Sequence, residues 1–160
     1  MNISVRPHQV LFGEHDLLEI RESKHFLACF EKPSRLRKIP MHPSGVRIAM
    51  VWDNLGLVAY EDQPEQLMSH LHIAFSPKDT PEQPSHASKS VIQINGGIVT
   101  AETTEGTLPR RGEIPIEANF GEFFSYTGDG YGISFTFERQ ASPKDRNLVG
   151  SLQSFSFSWR

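Results

Sequence analysis

His70 and His72 are one residue apart, and on a strand that spacing points both imidazoles to the same face. Such a pair can chelate a transition metal if further ligands arrive from elsewhere. Leu71, Ile73 and Phe75 alternate with them and claim the core face, so the expectation is two solvent-side polar residues and no metal. Cys29 follows His25 by four residues, which on a helix places thiol and imidazole on one side and could form a thiolate device. Its neighbours Ala28 and Phe30 favour the plainer reading, a small core residue. No Gly-x-Ser-x-Gly elbow or Gly-rich phosphate loop occurs, and Asn95-Gly96-Gly97 reads as a hairpin turn. No catalytic residue, cofactor or metal is expected from these patterns.

Charge is unevenly placed. Lys32, Arg35, Arg37, Lys38 and Arg47 fall within a stretch, Lys32 to Trp52, that contains no Asp or Glu. The cluster could hold phosphate or an acidic surface, but the plainer expectation is a solvated edge strand whose cations discourage stray pairing. No aromatic residue interleaves with the five, so a base-stacking platform is missing and nucleic acid is not an expected partner. Acidic residues gather as Glu61-Asp62 with Glu65, and as Glu113, Glu117 and Glu122. Glu113 and Glu117, around Pro115, share one face of a presumed edge strand. Glu61, Asp62 and Glu65 follow a distinctive turn and are the expected partner-binding residues, on a loop that steers a basic partner.

These residues need a scaffold, and the pattern of the chain is mainly that of strands. Phe155, Phe157 and Trp159 alternate with Ser154, Ser156 and Ser158, and Ile133, Phe135 and Phe137 alternate with Ser134, Thr136 and Glu138. Only strands put each aromatic set on one face, and the two are expected to pair antiparallel across a turn-rich connection holding Pro143, Asn147 and Gly150. Trp52, Phe135, Phe137, Phe155 and Phe157 are the expected core. Further strands are expected at Gln9–Phe12, Asp16–Ile20, Val46–Trp52, Leu57–Tyr60, Leu71–Phe75, Val91–Ile94, Gly97–Thr100, Glu113–Glu117 and Glu122–Tyr126, with Asn95-Gly96 turning a hairpin. One helix, capped by Ser23 and carrying Phe26, Leu27 and Phe30, should stop before Pro33, and a short turn spans Pro64 to Met68. The fold class is therefore mainly β (α+β), an antiparallel sheet or β-sandwich with one N-terminal helix.

The 160 residues suit one domain, 1–160, with Ser76–His86 as a long surface loop broken by three prolines. Sixteen Lys and Arg against nineteen Asp and Glu give a net charge of −3, which argues against general attraction to nucleic acid or anionic membrane. No apolar run approaches a membrane span, no leader pattern opens the chain, and Cys29 is a lone cysteine, so a cytoplasmic protein is expected.

Lys32-Pro33-Ser34-Arg35 and Trp52-Asp53-Asn54-Leu55-Gly56-Leu57 carry a resemblance. Together, across Val10 to Phe75, they look like a small uncharacterised bacterial group with a Gly/Lys-Pro-Ser-Arg turn and a Trp-Asp-x-Leu-Gly-Ile/Leu turn. The resemblance implies a toxin-immunity-like role without catalysis, hence a cytoplasmic immunity protein that occludes a cognate toxin. The competing expectation is a β-sandwich, or a hydrolase built on one, that binds a small molecule or carbohydrate through exposed aromatics including Tyr126, Tyr131 and Trp159. A homodimer through a sheet edge is also expected if the C-terminal strand lies at that edge.

Overall fold

A computed structural model describes residues 1–43, 45–78, 80–119, 123–138 and 150–160. The chain opens with β1 (Asn2–Arg6), β2 (Gln9–Phe12) and a two-residue β3 (His15–Asp16), followed by α1 (Ser23–Ala28). A meander comes next: β4 (Arg35–Pro40), β5 (Val46–Trp52), β6 (Leu57–Gln63) and β7 (Leu67–Ala74). Beyond the Pro-rich stretch lie β8 (Val91–Ile94), β9 (Gly97–Val99), β10 (Glu117–Asn119), β11 (Phe123–Thr127), β12 (Tyr131–Phe137) and β13 (Leu152–Trp159).

The strands form two sheets, in the orders β3-β2-β1-β8-β9 and β10-β11-β12-β13-β7-β6-β5-β4. Only β1 and β8 run parallel; the other pairings among described residues are antiparallel. The fold is mainly β, as the alternation predicts. One apolar core joins the two sheets: Ile3, Val10, Ile92 and Val99 from the smaller meet Leu71, Ile73, Phe135, Phe155 and Phe157 from the larger. Neither sheet could bury its apolar face alone, which fits a single domain.

Alternation works best where one face is wholly apolar. Phe155 sits between Phe135 and Ile73, and Phe157 between Ile133 and Leu71. All five expected core aromatics, Trp52 included, are buried. The expected pairing of the last two strands is present, but β13 also pairs with β7 and occupies the middle of the larger sheet. The expected dimer edge at the C-terminal strand is therefore corrected: its backbone groups are paired on both sides. The connection holding Pro143 and Asn147 lies outside the described residues.

Several boundaries shift for visible reasons. The strand expected at Asp16–Ile20 ends at Asp16, whose Oδ1 accepts from the backbone N–H of Leu18 and Val10 and folds the chain into a turn. The strand expected at Glu113–Glu117 is displaced to Glu117–Asn119. Ile114 exchanges both backbone bonds with the Asn95 side chain, which thus takes the place of a ladder partner. That same Asn95 turns the expected β8–β9 hairpin with positive φ, as does Gly96. Ser23 is not the helix cap: Glu22 precedes the helix, and the Ser23 N–H is given to the Gln66 carbonyl. Helix α1 and Phe30 just beyond it bridge the sheets through aromatics, with Phe26 against Trp52, Trp159 and Phe30, and Phe30 against Phe12.

Candidate functional site

Asp53 is the hub of the most distinctive segment. Strand β5 delivers Trp52 to a 3-10 turn, Asp53–Leu55, closed by Gly56 with φ of +64°. The Trp52 indole N–H donates to the Glu31 carbonyl, and the Asp53 N–H donates to Ser34 Oγ at 3.2 Å. Arg35 grips the Asp53 carboxylate with two N–H groups, at 2.7 and 3.0 Å, and also donates to the carbonyls of Pro81 and Gln83. The Ser85 N–H adds a further bond to Asp53 at 2.8 Å. The guanidinium bonds, more than the Ser85 contact, hold the Asp53 carboxyl down at about 2 despite partial burial. The Lys-Pro-Ser-Arg and Trp-Asp-Asn-Leu-Gly segments are thus bonded directly to one another. The Pro-rich stretch is no free loop but a strap fastened to that joint.

The basic cluster is divided: Arg35, Arg37 and Lys38 lie on β4, the last strand of the larger sheet among the described residues, whereas Lys32 precedes it and Arg47 lies on the inner strand β5. Arg35 and Arg47 are consumed by Asp53 and Asp62, the latter pair at 2.7 Å. Arg37 and Lys38 remain exposed on the edge, and no described acidic side chain pairs with either. Leu36 beside them is 62% exposed.

The expected loop placement of the acidic residues is corrected. Glu61 and Asp62 lie on β6 rather than on a loop, and Glu61 is only 8% exposed, receiving a hydrogen bond from the Gln63 amide. Asp62 is bound by Arg47, which lowers its carboxyl below the usual range. Glu65 is exposed, in the turn between β6 and β7, with no ion pair among the described residues. The three residues do not form one steering patch. Leu57 and Ala59 face the core, and continuing their period-two phase places Glu61 inward as well. That phase is the signal that could have found it. Glu113 and Glu117 are both exposed but share no strand, and Glu122 lies outside the described residues.

His70 and His72 do share a face of β7, opposite Leu71 and Ile73. His72 Nδ1 lies 2.9 Å from Ser156 Oγ, and burial pushes the imidazole down to about 4. Burial, then the charge of Arg47, lowers His70 too, with Asp62 opposing. Across the sheet the outward row through His72 continues as Ser156, Ser134 and Ser125, and the row through His70 as Ser158, Gly132 and Thr127. All of these except His72, together with Tyr126 and Arg160, line a groove of about 240 Å³ that includes Gly132. Sequence reasoning missed it because four strands contribute to it. Of the three expected exposed aromatics, Tyr131 and Trp159 are buried, bonding the carbonyls of Arg6 and Leu17, whereas Tyr126 is half-buried and lines the groove.

The Cys29 thiol donates to the carbonyl of His25, not to its ring. The pair therefore lacks the contact that would make a thiolate. Among the described residues, no three His, Cys, Asp or Glu side chains are placed to hold a metal ion, and no helix is long and apolar enough to cross a membrane. Comparison with protein-family models, with curated proteins and with solved structures finds no match.

Proposed function

We propose that this chain is a non-enzymatic binding protein. On the resemblance of its two motifs, the concrete form of the proposal is a cytoplasmic immunity protein that inhibits a cognate toxin by covering it. The joint at Asp53 carries the reading. The chain's most individual residues, Ser34, Arg35, Trp52, Asp53 and Gly56, are spent on fastening an edge strand, a turn and a proline-rich strap into one rigid surface. A surface rigid before contact loses little freedom on binding, which favours a tight complex. The test is capture of the protein with its partners from the native host, together with assay of the neighbouring gene product. A toxin-like protein whose activity falls when bound is the expected recovery; a complex containing only metabolic enzymes counts against it.

The groove at Gly132 supports a second reading, a carbohydrate or other small polar ligand held by hydroxyl and imidazole groups. Titration with a panel of saccharides, followed by backbone amide resonances, separates the two. Saturable shifts at Thr127, Ser134 and Ser156 support the ligand, and a flat response removes it.

A further inference from the structure

We propose that β4 accepts an added strand from a partner protein, and that the incoming segment is extended, acidic at its centre and apolar at its flank. The inference rests on the binding-protein reading and names what that protein would hold. Strand β4 ends the larger sheet among the described residues, so one row of its backbone N–H and C=O groups faces outward. An extended peptide satisfies such a row by continuing the sheet, and its side chains then set the specificity.

The side chains along this edge specify the occupant. Register with β5 puts Leu36 and Lys38 on the face of Met50 and Ile48, and Arg37 on the opposite face beside Ala49. An added strand therefore meets an apolar residue at Leu36, a cation on one face at Arg37, and a cation on the other face at Lys38. Arg35 and Arg47 are neutralised by Asp53 and Asp62, whereas Arg37 and Lys38 have no described acidic partner. An edge built only to repel would not also present Leu36 at 62% exposure. A second copy of the chain fits poorly: an antiparallel pairing of β4 with itself around its centre sets Arg37 and Lys38 against Arg37 and Lys38, and directly opposed like charges destabilise a ladder. Charge complementarity selects a Val-Glu-Glu type segment instead.

The test uses synthetic ten-residue peptides centred on Val-Glu-Glu-Val, a pattern that reads alike in either strand direction, and on Val-Lys-Lys-Val. Each is titrated to about 1 mM into the full chain with amide resonances as readout, a range in which an unoptimised strand still registers. The acidic peptide should shift Leu36 to Pro40 and bind at least tenfold tighter than the basic one. The Arg37→Glu, Lys38→Glu double variant should invert the preference while keeping the thermal midpoint, since both residues are exposed. N-methylation of alternate peptide residues should abolish binding in one of its two phases, as backbone pairing requires. Equal affinity for both peptides, shifts confined to the groove at Gly132, no shift at β4, or self-association through the edge would each overturn the inference. If the charge-reversed variant captures its natural partner undiminished, this inference fails while the binding-protein reading stands. If neither form captures any partner although the peptide shifts occur, the reverse holds.

Discussion

Asp53 and His72 give the protein two separate responses to acid. Asp53 sits at about 2 in the folded chain against 3.8 ordinarily, so its bonds stabilise the fold above about pH 4 and are lost as pH falls through about 2. After allowance for solvent screening, Asp53→Asn should cost about 1 kcal/mol at neutral pH. The deficit should vanish towards pH 2, as read by denaturant titration across pH. For His72 the sign runs the other way. The folded imidazole stays neutral down to about 4, while the unfolded one takes a proton near 6.5. Stability therefore drops as pH falls from about 6.5 to 4. His72→Gln, which can still bond Ser156, should flatten that drop by on the order of 2 kcal/mol. A slope between those pH values unchanged by the substitution would remove His72 as its source. Neither residue could be singled out by composition. Asp53 acquires its role from Arg35, Ser34 and Ser85, which lie at spacings with no local periodicity, and His72 from Ser156 on the neighbouring strand, 84 residues further along the chain.

Among the elements, legibility followed how one-sided each strand's burial is. Strands β12 and β13 were readable because Phe135, Phe137, Phe155 and Phe157 leave no doubt about the inward face. Strand β4, Arg-Leu-Arg-Lys-Ile-Pro, carries no apolar alternation because only one of its sides is paired, and an edge needs little burial. The β10 region was misplaced because buried Ile114 and Ile116 imitate a strand while Asn95 takes the backbone bonds. The candidate site was half legible. The two motifs stood out as turns, but their direct joining needed the β4–β5 hairpin to bring Arg35 opposite Val51, beside Asp53. That joint predicts a sensitive glycine. A Cβ on Gly56 would lie 2.3 Å from the Ser88 backbone nitrogen, on a residue already at positive φ. Gly56→Ala should lower stability by about 2 kcal/mol or more, through strain and through displacement of the chain that follows the strap. Denaturation of Gly56→Ala beside Gly13→Ala, where a Cβ meets nothing within 4 Å although φ is also positive, isolates the collision from the dihedral.

For the whole molecule, the order of strands in space departs from their order in the chain. The meander β4–β7 is contiguous, yet its inner neighbour is β13, with Ala74 in register opposite Ser154. Phe155, fully buried between Phe135 and Ile73, sits at that seam. Phe155→Ala should cost about 3–5 kcal/mol by equilibrium unfolding, and a loss below about 1 kcal/mol would mean that the seam contributes little to the shared core. The seam has a further consequence during synthesis. A ribosome adding about 5–20 residues per second exposes β7 on the order of ten seconds before it makes the strand that covers it. Throughout that interval the nascent chain carries a formed or forming meander with an open flank bearing Leu71 and Ile73, and crowded polysomes set such flanks beside one another. Translation speed after Ala74, and the presence of a holdase at the exit tunnel, should therefore govern how much of this protein reaches its native form.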